Sequence, residues 1–445
     1  MNNTSKTRPS VLEVWLNQTR VGTVTNLPYD RNLFVFDEGY IADRNRPVLS
    51  LSFYDVNGNL ITEPQEVQTK VPPFFSNVLP EGRLREYLAE RGGVKEAREF
   101  FLLWLLGADL PGAVVVQDSE GRPLPPTGDN NRRQDQEQPA PEGVLRFSLA
   151  GLQLKFSAVG NPGKQLAVPA EGRGGYWIVK LPSPSYSHLP ENEFSMMKLA
   201  SEIGIEVAEV GLVPTNQVEG LPEEFGRLTA NSLYVRRFDR TAEGARVHIE
   251  DFNQLYSQFS GDKYKNYSYT NMAGDIWRIL GERGLVEFVR RLIFSAAIGN
   301  ADMHLKNWSI IYPDGKTPQL SAGYDFVSTI QYIEDRKLAL SIAKEKDAGK
   351  LDQELLERFA AKARVPKALV VETAVETAER VVKVWSRLKG ELPIDQDGRE
   401  RIDERLKYVP ITSHFLAGGS AKTGLAAREP QITKHFSEYP AGSAS

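Results

Sequence analysis

The chain has 445 residues, with 54 Lys and Arg against 58 Asp and Glu for a formal net charge of −4, no cysteine, 41% hydrophobic and 25% charged residues. This is the balance of an ordinary globular protein, and it excludes a disulfide framework, a thiolate zinc site and a cysteine nucleophile. The charge argues against a protein that coats a polyanion, although a local basic face can hide in the sum. At about 150 residues per domain the length predicts two or three domains. The polar opening segment, Met1 to Pro9, and a longest apolar run, Phe100 to Ala108, far below the ~20 residues of a membrane span predict a cytoplasmic location and no membrane partner.

In chain order, Val11 to Gly22 alternates around an Asn-containing turn and predicts a β-hairpin, and Pro47 to Tyr54 reads as a further strand. The segment Pro72 to Gly82 is turn-rich, with Phe74, Phe75 and Leu79 expected to pack. Helical periodicity follows over Arg83 to Glu90 and Phe100 to Leu106, completing a small α+β unit. From Gln117 to Gly143 no apolar period survives, and the composition is that of a linker or mobile loop. Strands are predicted at Val144 to Leu149, Leu154 to Val159 and Tyr176 to Leu181. A helix over Glu191 to Ile203 precedes strands at Val207 to Leu212 and Ser232 to Phe238. The remainder reads as mostly helical, with helices over Phe252 to Phe259, Thr270 to Leu280, Leu285 to Ile298, Gln353 to Ala361 and Val371 to Leu388, and a tail from about His414 expected to fray.

Three segments carry chemistry. The first is Ile298-Gly-Asn-Ala-Asp302-Met-His-Leu-Lys-Asn307-Trp-Ser, followed downstream by Tyr324-Asp325-Phe326. Phosphoryl transfer needs a carboxylate to orient the attacking hydroxyl, an amide oxygen on one Mg²⁺ and a second carboxylate on the metals. The spacing D-x-x-x-x-N suits that division of labour and matches a kinase catalytic loop; taken alone, helix caps and turns account for it equally. Lys306 and His304 sit beside it, His304 reading more readily as a structural histidine than as a metal ligand. The second is the strand Tyr176-Trp-Ile-Val-Lys180-Leu-Pro, whose lysine either snorkels from an edge or faces an anion. Glu193 shares a helix face with Met196, Met197, Ala200 and Ile203, so a carboxylate lies on the core side and calls for a cation. It pairs with Lys180 or answers the helix dipole. The third is Arg146-Phe-Ser148-Leu-Ala-Gly151-Leu-Gln153-Leu-Lys155, a turn of small residues that either cradles phosphate or forms a plain hairpin.

Their order, small turn, strand lysine, helix glutamate, D-x-x-x-x-N and a later Asp, is the serial layout of a bilobal kinase. With Phe147-Ser-Leu-Ala-Gly-Leu-Gln-Leu-Lys155, Ile178-Val-Lys-Leu-Pro182, Asn192-Glu193, Arg237-Phe-Asp-Arg240, Glu250-Asp251 through Gln254, Gly299 to Asn307 and Tyr324-Asp325, the sequence resembles the HipA family of bacterial serine/threonine kinase toxins over most of residues 10 to 410. Phe74-Phe75-Ser-Asn-Val-Leu-Pro-Glu-Gly82 and Gly107 to Gly112 resemble the small domain that precedes the kinase core in that family.

The resemblance implies an α+β fold of bilobal, protein-kinase-like form with a small N-terminal α+β subdomain and a mostly helical C-terminal lobe. Its divisions would be an N-terminal subdomain (1–116), a loop or linker (117–143), a nucleotide-binding N-lobe (144–240), a helical C-lobe with the catalytic loop (241–413) and a disordered tail (414–445). It implies Asp302 as catalytic base, Asn307 and Asp325 as Mg²⁺ ligands and Lys180 as the phosphate-binding lysine. Ala150, Gly151, Leu152, Gln153 and Lys155 would cover the ATP phosphates, Phe238 would meet the adenine, and His304 and Lys306 would complete the nucleotide site. Ser148 falls at a regulatory autophosphorylated serine, where added charge would expel the loop. The implied partners are a helix-turn-helix, HipB-like antitoxin and an aminoacyl-tRNA synthetase as protein substrate, with DNA reached only through the antitoxin. Arg236-Arg237 departs from the acidic residue frequent in the family before Phe-Asp-Arg, which leaves side-chain contacts at the hinge open. Two other functions compete: a catalytically weak kinase-fold scaffold acting as co-repressor with a DNA-binding antitoxin, and a metal-dependent phosphohydrolase built on Asp302, His304 and Asp325.

Overall fold

The computed structural model of the chain describes residues 10–121, 154–161, 165–169, 174–221, 223–334 and 336–417. The strand expected at 144–149, most of the linker and the tail beyond 417 lie outside them.

The N-terminal unit is an antiparallel sheet of β1 (Val11–Leu16), β2 (Thr19–Leu27), β3 (Arg31–Phe36), β4 (Gln65–Gln68) and β5 (Val114–Asp118) in the order β4-β3-β2-β1-β5. Alternation along β1 buries Leu12, Val14 and Leu16 on one face. The expected hairpin forms, turning at Asn17 with φ 53, a conformation asparagine tolerates. Helices Pro73–Asn77, Gly82–Arg91 and Glu99–Leu106 complete this unit, with Phe74, Phe75, Phe100 and Phe101 joining Phe34 and Phe36 in one core. Pro47 to Tyr54 is not a strand. It is an extended segment ending in a 3-10 turn, Leu51–Phe53, because Ser50 caps that turn and its polar groups find partners in the next unit rather than on a strand.

The second layer holds β6 (Lys155–Asn161), β7 (Gln165–Ala167), β8 (Trp177–Lys180), β9 (Val210–Pro214), β10 (Val218–Glu219) and β11 (Asn231–Arg236) in the order β10-β7-β6-β8-β11-β9. The helix Leu189–Glu202 buries Met196, Met197, Leu199 and Ala200 in the same core as Leu233 and Val235 of β11. Lys180 therefore ends a central strand beneath a helix that carries Glu193.

The C-terminal lobe is built on Tyr269–Ile298, capped by Ser268 and broken at Gly281 (φ 65), so the two helices expected there join through a kink rather than a loop. Helices Gln353–Ala363, Lys367–Leu388, Gln396–Tyr408 and Pro410–Leu416 surround it. The helix expected over 252–259 stops at Leu255, since Ser257 takes φ 51 and ends the helical path. Sequence periodicity did not reveal the small antiparallel sheet of β12 (His248–Asp251), β13 (Ser309–Tyr312) and β14 (Gln319–Leu320), whose strands are too short to carry a pattern.

The N-terminal unit and the lobes meet along a polar seam. Glu250, fully buried on β12, accepts from Ser50 Oγ at 2.5 Å, the Leu51 amide at 3.0 Å and Tyr312 Oη at 2.5 Å. Asp239 accepts from the Gly112 amide at 2.8 Å while Arg240 bonds Asp109 at 3.0 Å. Arg237, which departs from the family pattern, is buried and locked by Asp239 and by Ser157 Oγ at 3.0 Å, a structural rather than a nucleotide contact. His248 bonds Leu49 O through Nε2 at 2.7 Å while its buried Nδ1 has no partner.

Burial pushes the His248 imidazole down to about 4. The folded protein then holds fewer protons than the unfolded chain between pH 6.5 and 4. Stability is fully present above pH 6.5 and falls as pH drops through that window, by at most about 3 kcal/mol from this group. Urea titrations across pH 4 to 7 are expected to show a shallower acid loss in His248→Gln than in the parent chain; identical slopes refute the assignment.

Candidate active site

A cleft of about 1270 Å³ runs between the lobes and the N-terminal unit, lined by Lys155, Lys180, Glu193, Asp251, Asp302, Asn307 and Asp325 among others. Its floor is the loop after Ile298. Gly299, at φ 70, ends the helix with its amide on Ser295 and Ala296 carbonyls, and the next amide, of Asn300, bonds Ser295 O at 2.9 Å. A Cβ at this glycine would lie 2.6 Å from Ile330. The turn then closes on itself: Asn300 Oδ1 takes the Asp302 amide at 2.9 Å, Thr329 Oγ1 takes the Ala301 amide at 2.8 Å, and Asn307 Nδ2 donates to Asp302 O at 2.9 Å. With Asn307 Nδ2 spent in this way, its side-chain oxygen is left as an acceptor.

Asp302 reaches solvent through the cleft, yet the walls crowd it, and this desolvation raises its carboxyl above the usual range despite the Tyr264 hydrogen bond and Lys263. The Tyr264 hydroxyl donates to Asp302 Oδ1, the place an acceptor hydroxyl would take. The Tyr264 ring stands edge-on to His304 at 4.9 Å. His304 is buried and driven down to about 3, first by desolvation and then by Lys263, so it is neutral at working pH and its Nδ1 is unpartnered.

Across the cleft Lys180, nearly buried, donates to Glu193 Oε1 at 2.5 Å and to Asp325 Oδ1. Burial works against its charge, but the two carboxylates outweigh it and hold the ammonium above its usual range. The acids divide unequally. Burial, reinforced by Asp325, pushes Glu193 up to about 7, whereas Lys180 and Lys155 together overcome burial and keep Asp325 ionised well below the usual range. Asp325 also sits at φ 55, a backbone conformation costing about 1–3 kcal/mol for such a residue and tolerated where surroundings over-determine it. Lys155 lies directly opposite Lys180 in the β6–β8 register, and burial pulls it down to about 8. Two lysines facing each other across a ladder repel unless anions lie between them. Phe238 half-buries against Tyr324, with ring centres 5.5 Å apart, on the same cleft wall as Ile178 and Val235.

The structure thus brings Lys155, Lys180, Phe238, Asp302, His304, Lys306, Asn307 and Asp325 to one cleft. Ser148, Ala150, Gly151, Leu152 and Gln153 lie outside the described residues. Lys306 is less free than expected: its ammonium donates to Glu81 Oε1 at 2.5 Å, Asn77 O at 3.1 Å and Ser260 Oγ at 3.2 Å, so a phosphate would have to displace one of them. Sequence reasoning assigned no site role to Glu81, Lys263, Tyr264 or Asp251. Glu81 and Asp251 stood inside motifs already noted, but nothing in their spacing indicated the cleft.

As to metal, no group of three His, Cys, Asp or Glu side chains able to hold an ion occurs among the described residues. The available donors are hard oxygens, the Asn307 amide and the Asp325 carboxylate. That set suits Mg²⁺, which takes one or two protein ligands and completes its shell with water and phosphate.

This geometry, a strand lysine bonded to a helix glutamate above a D-x-x-x-x-N loop, defines a bilobal protein-kinase-like fold. Residues 12–117 match the HipA N-terminal domain and residues 147–385 the HipA-like C-terminal domain, and the chain belongs to the HipA family. Y4dM of Sinorhizobium fredii, assigned as a kinase by name, is 50% identical over 416 residues, covering 91% of this chain and 98% of that one. The serine/threonine-protein kinase toxin HipA of Shewanella oneidensis is 27% identical over 426 residues, covering 88% of this chain and 93% of its own. The solved structure of HipA from that species, in complex with HipB and operator DNA, has the same fold at TM-score 0.69 with 23% identity, covering 92% of this chain and 98% of that one.

Removing Lys180 leaves the buried Glu193 and the part-exposed Asp325 with Lys155 as their remaining nearby cation, a loss of about 3–5 kcal/mol. Lys180→Met is therefore expected to unfold at lower urea than the parent at pH 8, with the deficit shrinking toward pH 5.5 as the stranded acids take up protons. A deficit that does not change with pH would contradict the shared ion pair.

Proposed function

We propose that this HipA-family kinase is an ATP- and Mg²⁺-dependent protein serine/threonine kinase and the toxin of a toxin–antitoxin module. The observation that carries the reading is Lys180, held by Glu193 and Asp325 and faced by Lys155 across the strand ladder, opposite the Asp302 to Asn307 loop. Two lysines converge on Asp325 at the cleft, where bound phosphates can share those cations, and the Asp302 carboxylate stands in the same cleft to take a proton.

In the proposed step Lys180 and Lys155 hold nucleotide phosphates, Phe238 and its apolar neighbours receive the adenine, and Asn307 and Asp325 hold Mg²⁺. The bound metal neutralises charge on the phosphates. Asp302 accepts the proton of a protein serine or threonine hydroxyl as that oxygen bonds to the γ-phosphorus and the bond to ADP breaks. Tyr264 must give up its place on Asp302 for that hydroxyl to enter. His304, neutral, serves by packing against the Tyr264 ring rather than by charge.

The relatives support one of the proposed partners. The Shewanella HipA assembles with HipB and operator DNA, which supports a helix-turn-helix, HipB-like antitoxin here, with DNA reached through it. An aminoacyl-tRNA synthetase is the proposed substrate, its phosphorylation blocking translation and growth. Ser148 is the proposed site of self-inactivation by autophosphorylation. No described helix is long and apolar enough to cross a membrane; the proposed place of work is the cytoplasm.

Two measurements test this. With radiolabelled ATP and Mg²⁺, Asp302→Asn is expected to slow phosphate transfer by about 10²–10⁴-fold, and chelating the metal to abolish it; transfer by Asp302→Asn at the parent rate sinks the mechanism. Intact mass after incubation with Mg·ATP should show one added phosphate on the parent chain and none on Ser148→Ala or Asp302→Asn, whereas a phosphate retained on Ser148→Ala would move the regulatory site elsewhere.

A further inference from the structure

Glu81 belongs to the N-terminal unit, at the residue before the helix Gly82–Arg91, where an acidic side chain could serve its own helix. It makes no capping hydrogen bond there. Its carboxylate reaches across the seam instead: Oε1 accepts from Lys306 at 2.5 Å and from Ser260 Oγ, and Oε2 accepts from Lys263 at 2.9 Å. Asn77, four residues earlier, adds its carbonyl to Lys306 at 3.1 Å and ties its side chain to Gln258 O at 2.7 Å and to Asn253 at 2.9 Å. Burial alone would raise the Glu81 carboxyl, yet Lys306 and Lys263 hold it well below the usual range, so it is charged at any working pH.

The two lysines are not arbitrary partners. Lys263 precedes Tyr264, whose hydroxyl sits on the Asp302 carboxylate, and Lys263 O accepts the Leu305 amide at 3.2 Å. Lys306 precedes Asn307, whose amide holds Asp302 O. One carboxylate from outside the kinase lobes therefore grips the immediate neighbours of two of the groups that hold Asp302, one on its side-chain and one on its backbone side.

We propose that Glu81 is a positioning residue for phosphoryl transfer, which makes the N-terminal unit a working part of the catalytic centre; this rests on the kinase reading above. Without it Lys263 and Lys306 separate, and the carboxylate and amide they flank lose their mutual placement. Misplacement of reacting groups by about 1 Å costs on the order of 100-fold in rate.

The experiment uses the full chain with Mg²⁺ and radiolabelled ATP, scoring transfer to dephosphorylated casein and to the chain itself, with thermal melts and nucleotide binding measured in parallel. Glu81→Gln is expected to lower kcat by about 10–100-fold while KM for ATP stays within about twofold, with Glu81→Asp recovering part of the rate. Because Glu81 acts in part through Lys306, adding Glu81→Gln to Lys306→Met should cost less than Glu81→Gln costs in the parent chain. Ser50→Ala, which weakens the same seam at Glu250 away from the cleft, should lower the melting temperature and spare kcat. The proposal is overturned by Glu81→Gln retaining the parent kcat, by effects of Glu81→Gln and Lys306→Met that multiply, or by Ser50→Ala losing kcat in step with its melt. A parent chain that transfers no phosphate to either acceptor defeats the kinase reading itself, and this proposal with it.

Discussion

Three charges gathered at one point, the buried Lys180 and Glu193 with the part-exposed Asp325, are the constraint on which the rest depends. An ammonium and a carboxylate removed from water carry a desolvation cost that only close geometry offsets, and losing Lys180 takes from both acids the cation they share. Each comes from a different part of the fold: the end of a central strand, the core face of a helix, and a strained turn of the C-terminal lobe. Strand, helix and lobe must therefore arrive in register before the cluster is tolerable. The cross-strand lysine at position 155 sharpens the demand, since it adds a second cation to a site already holding one.

The same economy governs the floor of the cleft. A left-handed glycine stops a thirty-residue helical stretch, and the amides of Asn300, Ala301 and Asp302 that follow are taken by Ser295 O, Thr329 Oγ1 and Asn300 Oδ1. The loop is rigid because its polar groups are satisfied locally, which leaves the Asp302 carboxylate as the group that faces solvent. Desolvation then raises its affinity for a proton, the direction that the proposed role as base calls for.

The N-terminal unit is joined to the lobes by charge as well as by apolar contacts such as those of Val48 and Leu51 with the C-terminal core. Glu250, Asp239 with Arg240, and Glu81 each cross the seam, and each is satisfied by two or more partners. A seam of this kind specifies one relative placement, because a small slip leaves buried ions unpaired, whereas an apolar seam tolerates sliding. It also explains how a unit with its own sheet and aromatic core can bear on chemistry carried out elsewhere.

Much of this was legible in the order of residues. The hairpin at the start, the helix that carries Glu193, the lysine interrupting a strand, and the Asp302 to Asn307 spacing are all local: period, caps and short intervals encode them within a turn or two of chain. The Pro47 to Tyr54 segment shows the limit, since its apolar pattern suited a strand while its backbone partner, Glu250, lay some two hundred residues away. Which carboxylate answers Lys180, which residue stands opposite it in the ladder, and that Lys306 answers to Glu81 were settled by sheet register and by the docking of one unit on another. No interval in the chain encodes those distances. The sequence by itself determined the parts of the site and their order, because local spacing does so, and only the tertiary structure decided their pairing, because buried charges choose partners in space.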